Sequence, residues 1–430
     1  MKKIVSFILV ACLSLSLAAC SSDSNDTANK PVKIAFYTYN YMAQQKDGVD
    51  KLIADFKKDN PDIDVEVVYV TSEEINTKIQ ADIAAGVEPD VIQVVFDALD
   101  FAQNNYGVQD LNELVDKTEL EEHLKGFEPA ALNVAKIDGK MLGLPYTFST
   151  PVLFYNATLL EEAGLDPDTP PTTWEEVEKY ALQIKEQTSN DGFLFGGYLL
   201  SDCFLQALIK SNGGSIMSSD RTTIQYGEQP AIEALSMLKN MVTNGAQPKI
   251  TDSMQGVEAF SGGKLGMMLY TSALQASMIK AADEGGWELR TAKMPAFGDK
   301  PAVPVNTGSG LFICTKDKAK QEAAWKFIKY VTSDEGYTVI TSMMGYPPLR
   351  PAIIEDERYL KKWAEENPLA GPNLEQLKIV TPWQSYPGNN WYQIEQLLMD
   401  ASVKAVFTDA DVAQTMQDAQ NQAQSLMPKK

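Results

Sequence analysis

Histidine and cysteine are scarce in this 430-residue chain. Its only histidine is His123, and only Cys203 and Cys314 lie beyond the first twenty residues. Zinc, copper and haem sites are usually built from several of these side chains, so we expect no metal and no cofactor. Two cysteines so far apart do not make a disulfide framework. One bridge and two buried thiols remain the open alternatives.

Positive charge is also in deficit. The chain has 37 basic against 58 acidic residues, which gives a formal net charge of −21. Such a chain repels the phosphates of nucleic acids, so no nucleic-acid partner is expected. After the first twenty residues no stretch is apolar for long enough to span a bilayer. The length suits two or three packed domains.

The N-terminal residues have the pattern of an export signal. Two lysines precede an apolar run that ends in Leu17-Ala18-Ala19-Cys20. This order resembles the lipobox of bacterial lipoproteins, which implies a signal peptide over residues 1–19 and lipidation of Cys20. A plain secretory peptide cut near Ala19 is the alternative. The polar residues 20–31 would form a lipidated tether at the extracellular face of the bacterial cell membrane.

The next part alternates between strand and helix patterns. Extended patterns cover 32–37, 63–70 and 91–96, and helical spacing of apolar residues covers 47–58 and 72–85. The third strand pattern is almost continuously apolar, which is typical of parallel sheets covered on both faces. We therefore predict a doubly wound α/β unit. Ser72 is the expected cap of the second helix, and Ser72 and Asp97 lie at the edge where such sheets bind ligands.

The stretch 144–156, LPYTFSTPVLFYN, is a strand pattern interrupted by Pro145 and Pro151. Neither proline can donate a backbone hydrogen bond, so a plain central strand is not expected. We interpret the stretch as a segment that leaves one sheet and enters another. An edge strand of a single sheet is the alternative. Proline-containing stretches at 291–295 and 343–347 would be two further crossings.

The second half supplies helices, one more strand and a glycine-rich stretch. Thr173 and Glu176 predict a capping box at the start of a helix. An apolar strand over 265–269 leads to Ser272. The stretch 306–310, NTGSG, is expected to form a turn. Such a turn can bring backbone N–H groups to a ligand, or it can be a simple tight turn.

Four segments together carry a family resemblance. They are Pro89–Ile92, Leu144–Asn156, Glu162–Leu165 with Pro171–Trp174, and Lys326–Ile328. They resemble the extracellular solute-binding proteins of bacterial ABC importers, of the sugar-binding kind with a fold like maltose-binding protein, over essentially residues 32–425. The most similar branch is that of the glycerol-3-phosphate binders. Its matching segments are Ser149–Asn156, Ala163–Pro167, Gly345-Tyr346 and Gln393-Ile394.

The resemblance implies a type II periplasmic-binding-protein clamshell with three hinge crossings. Lobe 1 would comprise 32–148 and 296–343, and lobe 2 would comprise 149–295 and 344–430. A small-molecule sugar or polyol would bind between the lobes of a monomer. The permease subunits of an ABC importer would then accept the closed, loaded form.

The family's ligand contacts carry over position by position. They fall on Asp97, Ser149, Ser272, Gly308 and Tyr346, and Ser72 stands where the family has a tyrosine. Asp97 would accept hydrogen bonds from hydroxyls, and the serines would donate and accept. Gly308 would offer its backbone N–H, and Tyr346 its ring and hydroxyl.

One departure from the glycerol-3-phosphate branch concerns the ligand. That branch has a phosphate-contacting arginine shortly before the Gln-Ile pair, whereas this chain reads YPGNN over 386–390. Arginine is a principal means of holding a phosphate. A carbohydrate or polyol is therefore the leading interpretation, and glycerol-3-phosphate or a glycerophosphodiester is the alternative. Trp383 and Trp391 would stack on sugar rings, or they would pack the core of lobe 2.

Two other classes of function remain as rivals. A secreted, lipid-anchored glycoside hydrolase would need two carboxylates that face each other across the cleft. The polar candidates here are mostly hydroxyls and a glycine, so we expect a protein that is not an enzyme. A ligand-binding accessory to a membrane sensor is the second rival.

Overall fold

The computed structural model describes residues 31–39, 43–72, 74–196 and 202–429. The predicted signal peptide, the Cys20 lipidation site and most of the tether lie outside these residues. Within the described part of the chain, no helix is both long and apolar enough to cross a membrane.

Eleven strands form two larger sheets and one small hairpin in the described residues. The strands are β1 (Val32–Tyr39), β2 (Ile63–Val70), β3 (Val91–Val95), β4 (Lys136–Ile137), β5 (Lys140–Met141), β6 (Gly143–Ser149), β7 (Pro151–Asn156), β8 (Asp191–Phe195), β9 (Leu265–Thr271), β10 (Leu289–Lys293) and β11 (Thr307–Ile313). The first sheet has the order β2-β1-β3-β11-β6, and the second has the order β10-β7-β9-β8.

Helices cover both sheets and complete the chain. They are α1 (Ala43–Asp59), α2 (Ile75–Ala84), α3 (Leu99–Asn105), α4 (Leu111–Leu114), α5 (Lys117–Leu124), α6 (Pro129–Leu132), α7 (Ala157–Glu162), α8 (Trp174–Thr188), α9 (Asp202–Ser211), α10 (Gln229–Asn244), α11 (Ser253–Ser261), α12 (Gln275–Gly285), α13 (Lys318–Val331), α14 (Asp334–Met344), α15 (Lys361–Glu366), α16 (Gly371–Gln376), α17 (Trp391–Phe407) and α18 (Val412–Leu426).

The first sheet has the predicted doubly wound start. β1 pairs in parallel with β2 and with β3, so the carboxyl ends of all three strands meet at one edge. β3 is buried along most of its length, as its apolar sequence predicts. β11, which comes from much later in the chain, then joins β3 and β6 in antiparallel pairing.

The first crossing lies between Ser149 and Pro151. Strand β6 ends at Ser149 in the first sheet, and β7 begins at Pro151 in the second sheet, where it pairs with β9 and β10. Only Thr150 separates the two strands. Pro151 is the first residue of its strand, a position that tolerates a missing donor. The edge-strand alternative is therefore wrong, and the two-sheet α/β clamshell class is confirmed.

The other passages differ in detail from the sequence prediction. Thr291–Lys293 belong to β10 and pair with β7, so the chain returns to the first sheet only between Met294 and Thr307. Pro304 and Val305 in this passage pair with Thr381. This second passage between the sheets is longer than the position of Pro295 suggests, because β10 contains residues that were predicted to lie between the sheets. The lobe boundaries by residue number stay a prediction.

Two local predictions are wrong. Ser72 does not cap the second helix: α2 begins at Ile75 after a turn in which the N–H of Glu74 donates to the carbonyl of Thr71. The stretch 306–310 is not a turn, because Thr307–Gly310 form the first half of β11. Glycine has low strand propensity, but pairing with two neighbouring strands overrides that local preference.

Two other local predictions are confirmed. Thr173 and Glu176 form the capping box at the start of α8, with the Glu176 N–H donating to Thr173 Oγ1 at 3.2 Å. Cys203 and Cys314 are buried thiols with no disulfide between them. Their burial among apolar side chains is typical of structural cysteines.

Candidate functional site

Ser149 lies at the junction of three strand ends. Its Oγ is 2.8 Å from Thr271 Oγ1, at the end of β9, and it also hydrogen-bonds Thr307 Oγ1, at the start of β11. Ser149 is 1% exposed. A hydroxyl both donates and accepts, so three hydroxyls can satisfy one another. This trio, the crossing hydroxyls, joins the two sheets.

Ser272 and Thr150 extend the same junction. The Thr150 N–H donates to Ser272 Oγ at 3.3 Å, and the Ser272 N–H donates to the Thr150 carbonyl at 3.1 Å. The Thr150 hydroxyl donates to Asn373 Oδ1 at 2.7 Å and accepts from Gln376 Nε2 at 2.8 Å. The structure thus places both predicted serines together, at the first crossing.

Gly308 is fixed by the approach of β11 to β6. Its φ is +109°, and a Cβ built on it would lie 2.1 Å from the Thr147 carbonyl oxygen. No L side chain fits that conformation at that distance. The glycine is therefore required by strand packing, whatever its backbone does toward a ligand.

Tyr346 lies beside the first helix. Gly345 ends α14 with φ +82°, and Tyr346 follows, 5% exposed. Gln45 Nε2 of α1 donates to the Tyr346 hydroxyl at 2.9 Å. Ser72 is half-buried in the turn after β2, the strand that pairs with β1.

A buried polar chain runs through the first sheet. Gln93, in the otherwise apolar β3, accepts from Thr38 Oγ1 and donates from Nε2 to Ser309 Oγ at 2.7 Å. Ser309 Oγ is 2.6 Å from Thr147 Oγ1. The sequence analysis missed this network, although a glutamine inside an apolar strand is a signal for one.

Trp383 lies in a second polar group, where the C-terminal segment meets α9. Trp383 Nε1 donates to Asp202 Oδ1 at 2.5 Å, and the Tyr386 hydroxyl donates to Asp202 Oδ2 at 2.7 Å. Gln206 Nε2 donates to the same Oδ2 at 3.0 Å. Burial raises the pKa of Asp202, while these three donors act in the opposite direction.

Asp97 and Glu395 complete this group. Asp97 follows β3 of the first sheet, and Glu395 lies on α17, which packs against α9 and α10. The turn that carries Asp97 packs against α17, and each carboxyl group shifts the pKa of the other. Burial, and then the Asp202 charge, raise the pKa of Asp97 to about 7. Burial and the charges of Asp202 and Asp97 raise the pKa of Glu395 well above its usual range. We call Asp97, Asp202 and Glu395 the acidic trio.

Two oxygens of the acidic trio lack a donor. Among the described residues, Asp97 Oδ1 and Glu395 Oε2 are buried without any hydrogen-bond partner. Glu395 is 4% exposed, whereas part of Asp97 remains exposed. A buried acceptor without a donor is costly, so such atoms indicate a missing ligand or proton.

Trp391 is the first residue of α17, the helix that carries Glu395, and its ring faces the first lobe. Its ring lies 6.4 Å from that of Phe101 on α3 and 5.6 Å from that of Tyr392. Trp383 and Trp391 are 6% and 9% exposed. Both rings are buried where the two sheets' layers meet, and their contact with a ligand stays a prediction.

An ion pair lies next to this contact. Arg221, in the loop before α10, pairs with Asp100 of α3 and donates from Nη2 to the Ser385 carbonyl at 3.1 Å. Ser385 Oγ donates to Asp100 Oδ2 at 3.3 Å. A groove of about 860 Å³ opens on the far side of Arg221 and Asp100. None of the predicted site residues lines it.

The structure therefore divides the predicted residues into groups. Ser149, Ser272 and Gly308 lie at the crossing, and Asp97, Trp383 and Trp391 lie at the acidic trio. Ser72 follows β2 at the edge of the first sheet where Asp97 follows β3, and Tyr346 contacts Gln45 of α1. Asp202, Glu395 and Arg221 were missed. Only Glu395 had a usable signal, because it lies four residues after Trp391 and so on the same face of a helix.

Two open α/β sheets joined by a strand that crosses from one to the other, with polar and aromatic side chains between them, define a two-lobed binding protein. The model of the family "bacterial extracellular solute-binding protein" matches residues 51–370, and the chain belongs to this family. Its members are binding proteins of ABC importers.

Relatives and solved structures agree with this assignment. The sn-glycerol-3-phosphate-binding periplasmic protein UgpB of Escherichia coli K12 is 24% identical over 389 residues, which are 86% of each chain. The cyclic alpha-maltosyl-1,6-maltose binding protein of Arthrobacter globiformis superposes with a TM-score of 0.79 at 21% identity, over 92% of this chain and 98% of that one. UgpB of Mycobacterium tuberculosis in complex with glycerophosphocholine gives 0.76 at 20% identity, over 92% and 98%. The structural matches establish the shared fold.

Proposed function

We propose that this chain binds a carbohydrate or related polyol between its two lobes and presents it to the permease subunits of an ABC importer. The observation that carries the proposal is the acidic trio beside Trp383 and Trp391. Carboxylates accept hydrogen bonds from sugar hydroxyls, and indole rings stack on the apolar faces of sugars. Part of Asp97 is exposed and is positioned to accept such a bond.

Electrostatics separates this ligand class from the phosphate alternative. A phosphate beside Asp97, Asp202 and Glu395 would meet like charge in a buried setting, where repulsion is strong. Arg221 is the nearby arginine that contacts the C-terminal segment, and Asp100 already neutralises it. The sugar-binding structural neighbours support the same preference.

The hydrolase rival finds little support. Glycoside hydrolases hold their two carboxyl groups about 5 to 9.5 Å apart so that the substrate fits between them. Here Asp97 and Glu395 lie on elements that pack directly against each other. His123 is bonded to Thr332 Oγ1 at 2.8 Å, and burial lowers its pKa to about 3. We propose a binding protein without catalysis.

The remaining parts of the proposal concern the oligomeric state and the cellular location of the mature protein. The mature protein would be a monomer held at the outer face of the cell membrane by lipidated Cys20. Labelling with a palmitate analogue tests this: wild type should carry the label and Cys20→Ser should not. An unlabelled wild type would indicate a plainly secreted or periplasmic protein.

Isothermal titration of the mature protein tests the ligand class. The panel comprises maltose, maltotetraose, sn-glycerol 3-phosphate and glycerophosphocholine. We expect saturable heat with an oligosaccharide, recovery of the intact sugar, and no heat with sn-glycerol 3-phosphate. Asp97→Asn should weaken binding, and Glu66→Gln, an exposed change on β2, should not. Saturation with the phosphate compounds alone would reverse the assignment, and breakdown of the sugar would establish an enzyme.

A further inference from the structure

The carboxyl groups of Asp97 and Glu395 come from opposite lobes. Asp97 is in the turn after β3 of the first sheet. Glu395 is on α17, which packs with α9 and α10, and Phe204 of α9 packs in turn on Tyr270 of the second sheet. Any contact between the two carboxyls is therefore a contact between lobes.

Two ionised carboxylates cannot hydrogen-bond each other, because each only accepts. Asp97 Oδ1 and Glu395 Oε2 are both buried without a donor among the described residues, and the turn that carries Asp97 packs directly against α17, which carries Glu395. One proton removes both deficits: it turns one group into a donor and halves the like-charge repulsion. Asp202 does not need this proton, since three side chains already donate to it.

No basic side chain among the residues that the structure describes provides the missing charge. Lys210, on α9, donates to the Pro382 carbonyl at 2.9 Å, and burial lowers its pKa to about 8. Arg221 is committed to Asp100 and Ser385. Tyr226 and Tyr386, which also face the trio, have pKa values raised by burial and stay neutral near pH 7.

We propose that Asp97 and Glu395 form a proton-binding site that is assembled only when the lobes meet, so that one shared proton holds the lobes together. This inference goes beyond ligand binding and does not depend on the ligand's identity. Its functional consequence is that the assembled form is favoured at acidic pH, where a surface protein would hold its solute more tightly.

The direction with pH follows from linkage. The ordinary carboxyl pKa is near 4, whereas burial and the neighbouring carboxylates raise the pKa of Glu395, the group that holds the shared proton, well above its usual range. The folded state therefore binds the extra proton between these two limits. The stabilisation is complete below pH 4 and is lost as the pH rises through the raised pKa of Glu395.

The test is the thermal unfolding of the ligand-free mature protein between pH 4.5 and 9. From about pH 4 up to the raised pKa of Glu395, the wild-type unfolding constant should rise up to tenfold per pH unit relative to Glu395→Gln, whose amide donates to Asp97 at every pH. Asp97→Asn should remove the same dependence, and the double variant should remove no more. Glu66→Gln, on the exposed face of β2, should follow wild type.

The proposal would be overturned if stability changed with pH in parallel for wild type and both single variants. It would also be overturned if the two substitutions had additive effects on this pH dependence in the double variant. If one variant does not fold, the other decides. Because no ligand is added, a failure here is distinct from a failure to bind sugars.

Discussion

The crossing at Ser149 and the acidic trio both place polar side chains between the lobes, but their chemistry differs. The hydroxyls of Ser149, Thr271 and Thr307 satisfy one another. Carboxylates accept only, and within the described part of the chain Asp97 and Glu395 each have an oxygen without a donor. A hydroxyl cluster can therefore be a finished structural joint, whereas a carboxylate cluster requires a donor from a ligand or a proton.

The two regions also differ in whether the family resemblance predicted their residues. Ser149, Ser272 and Gly308 are predicted ligand contacts, and each has a structural contact at the crossing. Asp202 and Glu395 were not predicted, and both are buried carboxyl groups beside Asp97. The substitutions below test whether the crossing residues stabilise the fold, and whether the surroundings of the acidic trio depend on their hydrogen bonds and ion pair.

Gly308→Ala should have the largest effect. The new Cβ would meet the Thr147 carbonyl at 2.1 Å in a backbone with φ +109°. We expect a loss of about 3 kcal/mol or more in the free energy of unfolding, measured by urea denaturation. Gly86→Ala is the control: its φ is +79° with nothing within 4 Å of the Cβ, so about 1 kcal/mol is expected. Equal losses would show that close packing at the crossing is unimportant.

Asp100→Asn should destabilise the contact beside the trio. It removes the carboxylate that pairs closely with half-buried Arg221 and leaves that guanidinium with the Ser385 carbonyl and, at 4.0 Å, the exposed carboxylate of Asp138. We expect a loss of about 2–3 kcal/mol. Asp356→Asn breaks an exposed ion pair with Arg358 and should cause no measurable change. Unchanged stability in Asp100→Asn would mean that the lobes do not rely on this pair.

Trp383→Phe tests the donors that hold Asp202. The change removes the indole N–H that is 2.5 Å from Asp202 Oδ1. A loss of about 2 kcal/mol is expected, beyond the effect of the smaller ring. Trp174→Phe is a matched control, because Trp174 is fully buried but its Nε1 has no hydrogen-bond partner among the described residues. If both variants lose the same stability, the bond to Asp202 contributes nothing.

Ser149→Ala should have the smallest effect and separates the two roles of this residue. As a member of the crossing hydroxyls, Ser149 should contribute about 1 kcal/mol to stability and little to sugar affinity. Denaturation and titration with the best oligosaccharide of the panel measure both quantities. A large loss of affinity at unchanged stability would return Ser149 to the ligand site.

Several parts of the fold follow directly from local sequence. The apolar pattern of β3, the capping box at Thr173 and the break at Pro151 each have one local physical cause, and each is found where it was predicted. The predictions for Ser72 and for the stretch 306–310 were wrong for different reasons. Helix α2 starts at Ile75, three residues after Ser72. Pairing of β11 with the distant strands β3 and β6 overrides the local turn signal of 306–310. The contact residues of the candidate site, above all Asp202 and Glu395, had weak local signals or none.

The sequence by itself determined the α/β class, the crossing at Ser149 and Pro151, and the shortage of arginine in the C-terminal segment. These are properties of neighbouring residues, and periodicity and proline chemistry are local. Only the tertiary structure decided that the hydroxyl of Ser149 bonds those of Thr271 and Thr307 and that Asp97, Asp202 and Glu395 share one buried space. Ser149 is 122 and 158 positions from its two hydroxyl partners, and the three carboxylates are about 100 to 300 positions apart. Only packing of the two lobes brings these charges and hydroxyls together.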